Sequence, residues 1–307
     1  MSYDIIGDIH GQASKLEALL RRLGYVHTHS GWRPPQGRQA IFLGDLIDRG
    51  PEQIKVIRTV RAMIDAGHAR TVMGNHEFNA IGYALPHPHA PHAFLREHNP
   101  KHLGQHVEFL EQVGEGSALH RELIQWFRTL PPALDLGPIR VVHAWWHEPY
   151  VAHINAVTQP GQPLDDDFLH QAFTRGTPAF QTMEGLTKGR EIHLPAGHTY
   201  IDHSGAERQV VRIRWWHPSP RTYRDVAIVS EDQRHLVPDH PLPPDYAQTP
   251  HEGVPVFIGH YWLNGPPGPQ TGQVACLDYS AAKAGPLVAY RWDGESELES
   301  ARFVAAG

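Results

Sequence analysis

Five short apolar runs in this chain each stop at glycine, aspartate, asparagine or histidine, and that recurrence limits the folds open to it. Ile41-Phe42-Leu43 leads into GDLIDRG, Tyr3–Ile6 into GDIHG, Arg70–Met73 into GNHE, Ile139–Val142 into His143, and Val254–Ile258 into Gly259-His260. A buried strand that ends this way delivers those side chains to a sheet edge, where a loop can hold charges that a core cannot. Two of the intervening segments have helical patterns. Leu16, Leu19, Leu20 and Leu23 make one apolar face over Ser14–Leu23, and Ile54, Ile57, Val60 and Ile64 make another over Pro51–Ala66. Strand, polar loop and helix in alternation predict an α/β fold with its chemistry at the strand ends.

Composition narrows the possibilities. With 307 residues, 40% of them apolar, the chain can bury a full core as one large domain or as a domain with an insertion. A formal charge of −6 provides no basic footprint, which disfavours general nucleic-acid binding. Cys276 is the only cysteine, so an internal disulfide and a thiolate metal site are both excluded. No window approaches membrane-spanning length and the N-terminus carries no signal pattern, so a cytoplasmic protein without a membrane partner is expected. The 24 histidines raise the prospect of metal chemistry without locating it.

Other segments carry weaker signals. Residues 78–130 read as a helical cover with proline breaks, 151–185 as further helix with Asp165, Asp166 and Asp167 near a helix start, and about 186–250 as an inserted β and loop segment with a hairpin at Ser204-Gly205. Gln273–Asp278 and Leu287–Trp292 are expected to pair as closing strands. His87, His89, His92, His98, His102 and His106 lie in one stretch, the last three at a spacing of four, and are expected to form a solvated face. Trp145 and Trp146 suit either core packing or stacking against a base. Arg212–Trp216 suits an alternating strand or an aromatic-basic contact.

GDIHG, GDLIDRG and GNHE, in this order, resemble the motifs of the calcineurin-like metallophosphoesterases. The likeness is to the phosphoprotein phosphatase branch, with its bacterial serine/threonine phosphatases and symmetrical diadenosine tetraphosphatases. With His143 and the GHYW…LDY ending included, it covers most of the chain. It implies one metallophosphoesterase domain over 1–307, built as two mixed β-sheets in a sandwich flanked by helices. By the resemblance, Asp8, His10 and Asp45 hold one divalent metal ion, while Asp45, Asn75, His143 and His260 hold a second. Mn²⁺ is the expected ion, with Fe or Zn²⁺ as alternatives for such an oxygen and nitrogen donor set.

The resemblance also implies roles. Two cations about 3.5–4 Å apart would neutralise a phosphate ester and acidify a water that attacks phosphorus, so no covalent intermediate is required. Arg49 would grip two phosphate oxygens through its fork, and His76 would protonate the leaving oxygen while Asp48 holds its ring. Arg49, Asn75 and His76 are therefore the expected substrate contacts. The residues leave alternatives: an Arg49–Asp48 ion pair, a hydrogen-bonded core role for His143, and His198 of GHTY in place of His260, although the VPVFI run favours His260. The leading reading is a phosphomonoesterase or protein phosphatase acting on a phosphorylated small molecule, nucleotide or phosphoprotein, in keeping with Asp48 in DRG. The alternatives are a symmetrical dinucleoside polyphosphate hydrolase, and a metal-retaining binding or regulatory protein without turnover.

Overall fold

The computed structural model describes residues 2–307 apart from 160, 202–204, 245, 247–250 and 252. The chain opens with strand β1 (Ser2–Ile6) and helix α1 (Ala13–Arg22), followed by a small hairpin of β2 (Val26–Thr28) and β3 (Gly31–Arg33). Strand β4 (Arg38–Phe42), helix α2 (Gln53–Asp65) and strand β5 (Ala69–Thr71) come next, then α3 (Asn75–Ala84), α4 (Pro100–Val113) and α5 (Ala118–Arg128). Strands β6 (Ala133–Asp135) and β7 (Arg140–Val142) precede α6 (Glu148–Val157), α7 (Asp166–Phe173) and α8 (Pro178–Lys188). Asp165 caps α7 by accepting from the Phe168 amide at 2.6 Å, which accounts for the acidic run at that helix start.

Contacts divide the chain into one unit of Met1–Lys188 with Val254–Gly307, and another of Gly189–Gly253. The second unit contains β8 (Glu191–His193), β9 (Tyr200–Ile201), β10 (Glu207–Arg208), β11 (Val210–Arg212) and α9 (Tyr223–Val226). Within it β9 pairs with β10 and β8 with β11, both antiparallel, around a small core of Val211, Ile213, Val226 and Val237. Ser204 of the expected turn lies outside the described residues. The RIRWW run leaves β11 after Arg212, and Trp215 and Trp216 are buried, so it does not continue as an alternating strand.

The first unit resumes with β12 (Val256–Ile258), β13 (Val274–Cys276), β14 (Leu287–Trp292) and β15 (Phe303–Ala306). Among the described residues its strands, apart from the β2–β3 hairpin, form two mixed sheets, one ordered β15-β14-β1-β4-β5 and the other β13-β12-β7-β6. Their facing sides share a core of Ile5, Ile41, Val141, Phe257, Ala275 and Tyr290, with the Phe257 and Tyr290 rings 5.2 Å apart. Each fully buried side chain of this size contributes roughly 1.5–3 kcal/mol. The expected pairing of the closing strands is corrected here: β13 joins β12 in one sheet and β14 joins β1 in the other. Both runs are apolar on both faces, and the parallel Ile258–Cys276 register is a long-range choice that periodicity does not encode.

Parallel pairing explains where the polar loops go. Ile6 lies opposite Phe42 and Phe42 opposite Thr71, so β1, β4 and β5 release their loops at one sheet edge. In the other sheet β12 runs parallel to both its neighbours, β7 and β13, which brings out residues 143, 259–260 and 278 at a common end. No described helix is long and apolar enough to cross a membrane.

Candidate metal centre

Asp45 follows β4 with φ at 48°, and its neighbours Asp48 and Arg49 both have φ at 70°. Side chains do not favour this left-handed backbone, so the loop must be held from outside. Glu77, buried in α3, accepts from the amides of Asp45, Leu46 and Gly74 at 2.8–3.0 Å. Gln53 at the start of α2 accepts from the Asp48 amide at 2.8 Å. Gly44 and Gly74 allow two backbones to touch here, since a Cβ on Gly44 would lie 2.3 Å from the Gly74 nitrogen.

Around the Asp45 carboxylate the loops converge. Oδ2 lies 3.5 Å from His10 Nε2, 3.8 Å from His76 Nε2 and 3.3 Å from His143 Nε2. Oδ1 accepts from the His76 amide at 2.9 Å. Asn75 Oδ1 stands 3.1 Å from His143 Nε2 and 2.7 Å from His260 Nδ1. His10, Asp45 and His76 form one group whose potential ligand atoms all lie within 4.8 Å of one another, and Asp45, His143 and His260 form a second. Asp8 stands in neither group at that spacing; its Oδ2 accepts from the His260 amide at 2.9 Å. Gly259 makes that approach possible, because a Cβ there would sit 1.9 Å from Asp8 Oδ1. His198 belongs to the other unit, where its ring meets that of His240.

The donor chemistry fits cations. His10 Nδ1–H donates to the Ile47 carbonyl at 2.9 Å and His143 Nδ1–H to the Leu43 carbonyl at 2.6 Å, so each presents Nε2 to the cluster. Asp8 Oδ1 and His10 Nε2 are buried without a hydrogen-bond partner. Burial, then the neighbouring Asp278, raises Asp8 well above the usual carboxylate range. Burial opposes charge on His143, yet the neighbouring Asp45 and then Asp8 lift it to about 10. Burial and then His76 lower His10 to about 3, so its ring is neutral at physiological pH and has a lone pair available on Nε2.

Beside this centre, His76 Nδ1–H donates to Asp48 Oδ2 at 2.5 Å, and its Nε2 lies 3.3 Å from Arg49 Nη2. The Arg49 guanidinium also lies 3.9 Å from the ring centroid of Trp262, which the Lys283 ammonium approaches to 4.5 Å. Lys15 fixes the following loop by donating to the Ala281 and Gly285 carbonyls, each at 2.8 Å. Burial works against charge on Asp48, but His106 and then His76 outweigh it and bring the carboxyl to about 2.

Three residues of this neighbourhood escaped sequence reasoning. Glu77 belongs to GNHE but acts as an anchor for amides. Asp278 closes the expected Gln273–Asp278 strand but lies beyond the end of β13, a strand-end aspartate like Asp8; it is buried and accepts from the Trp262 amide at 2.8 Å. His106 corrects the expected solvated histidine face: it is buried, and its Nδ1–H donates to Asp48 Oδ1 at 2.7 Å. His98 precedes α4 and stacks on Tyr83, so spacing four did not place it on that helix. Trp146 is buried and donates to Glu148, while Trp145 stacks on His147.

The calcineurin-like phosphoesterase family model matches residues 1–229, which include every centre residue named so far except those contributed by the last strands. The chain belongs to the calcineurin-like phosphoesterases. Within this family it is 49% identical over 208 residues to an asymmetrical bis(5′-nucleosyl)-tetraphosphatase, PrpE, of Geobacillus thermodenitrificans, covering 66% of this chain and 80% of that one. It is 45% identical over 76 residues to the PrpE of Halalkalibacterium halodurans, a match spanning 25% of this chain and 31% of that relative. A symmetrical bis(5′-nucleosyl)-tetraphosphatase of Janthinobacterium sp. (strain Marseille) is 39% identical over 141 residues, covering 45% of this chain and 42% of that one.

Proposed function

We propose that this phosphoesterase hydrolyses dinucleoside polyphosphates at a centre of two divalent cations. Asp8, His10 and Asp45 would hold one cation, and Asp45, Asn75, His143 and His260 the other, with Mn²⁺ suited to the donor set. The observation that carries this reading is the Asp45 carboxylate, met by His10 from one side and His143 from another at 3.5 and 3.3 Å. When bound, the cations would supply charge against the phosphate oxygens and acidity to the attacking water.

The chain's own groups do the rest. Arg49 holds non-bridging oxygens with a planar fork, and His76 gives a proton from Nε2 to the leaving oxygen while Asp48 keeps Nδ1–H engaged. Beyond Arg49, the ammonium of Lys283 supplies a second cation, both charges lying against the neutral indole of Trp262. A phosphate chain can follow two such charges, whereas a monoester occupies only the inner one. The named relatives support this substrate class and lead us to expect asymmetrical cleavage. The DRG aspartate keeps a phosphomonoesterase as the second reading.

Incubation with diadenosine tetraphosphate and Mn²⁺ tests the proposal. ATP plus AMP is the expected product pair, and two ADP would mean symmetrical cleavage. Release of phosphate from p-nitrophenyl phosphate or a phosphopeptide without either pair would favour the second reading. Metal binding without turnover of any of these would contradict both.

A further inference from the structure

We propose that His106 is a positioning residue that completes a His106–Asp48–His76 relay and ties helix α4 to the proton-donating side of the centre. The inference rests on the phosphoesterase reading of His76. Its geometric basis is that both oxygens of Asp48 are taken: Oδ2 by His76 at 2.5 Å and Oδ1 by His106 at 2.7 Å. A carboxylate held at one oxygen can pivot about its last torsion; held at two, it fixes the ring it accepts from. Asp48 needs this, because its backbone is left-handed and, among the described residues, its amide is held by the Gln53 side chain alone.

Helix α4 grips the same loop at a second point. Gln112 donates to the Pro51 carbonyl at 2.8 Å and accepts from the Gln53 amide at 2.9 Å. His106 itself is held by Phe109, stacked at 4.9 Å, and by the edge of Tyr83 at 5.4 Å. Its ring therefore has one orientation, with Nδ1 toward Asp48. A helix with no ligand of its own thereby sets the direction of His76 Nε2.

The test compares His106→Phe, which keeps the ring stack but removes the donor, with His106→Asn, which restores an N–H near the Nδ1 position. Each is assayed on p-nitrophenyl phosphate, whose phenolate leaves unaided, and on phenyl phosphate, which needs the proton. His106→Phe should lower kcat on phenyl phosphate by roughly ten- to a hundred-fold, by analogy with the loss seen when outer partners of metal ligands are removed. The fall on p-nitrophenyl phosphate should be several-fold smaller, with KM and bound metal unchanged, and His106→Asn should recover most of the loss. Nitrogen-15 spectra of the full chain with diamagnetic Zn²⁺ provide a readout that needs no turnover: the His76 Nδ1–H proton should move in His106→Phe and return in His106→Asn. Equal falls on both esters, or an unmoved His76 proton, would overturn the proposal. Wild-type protein inactive on these esters and on diadenosine tetraphosphate would count against the phosphoesterase reading alone, and the His76 resonance would still decide the role of His106.

Discussion

At the scale of single residues, Asp45 is the point on which the centre turns. Loops from β1, β5 and β7 reach its carboxylate through His10, His76 and His143. Asp45→Asn keeps the shape and removes the charge, so both cations should bind more weakly, and elemental analysis after dialysis should find less than half the wild-type metal. His76→Asn makes the opposite separation. Turnover should fall by about 10²–10⁴-fold, the usual contribution of a positioned acid, while metal content stays at the wild-type level. An unchanged rate would remove His76 from the chemistry. Gly259→Ala would drive a methyl into Asp8 Oδ1, and the expected result is loss of the metal proposed for Asp8, read in the same analysis.

At the scale of elements, the strand ends were legible because glycine, aspartate and histidine after a short apolar run are a local signal. GDIHG, GDLIDRG and GNHE each name a loop that the parallel pairing then brings to one edge. Asp278 was not legible because its apolar run resembled a closing strand, and only the long-range pairing of β13 with β12 places it at a strand end. His106 was hidden for a related reason. It meets Asp48 across 58 positions of sequence, and a helical spacing of histidines says nothing about which face is covered. The first sheet has its own buried electrostatic tie. Asp4 on β1 is fully buried and accepts from Arg38 on β4 at 2.8 Å and Arg291 on β14 at 3.1 Å. Arg38→Ala leaves that carboxylate short of a partner, at a cost of about 3 kcal/mol, read as a lower urea midpoint.

At the scale of the whole molecule, all the proposed ligands fall in the unit of Met1–Lys188 and Val254–Gly307, and none in Gly189–Gly253. The order of the chain follows from this: six ligands come from loops far apart in sequence, so the centre exists only when both sheets of that unit have closed on their shared core. Hydrogen exchange should accordingly find the amides of β1, β4 and β12 among the slowest in the protein. The most direct measurement is anomalous diffraction from crystals grown with Mn²⁺. Two peaks about 3.5–4 Å apart, both bonded to the Asp45 carboxylate, are the predicted result. A single peak away from Asp45, or peaks at other histidines with none at that carboxylate, would contradict the account.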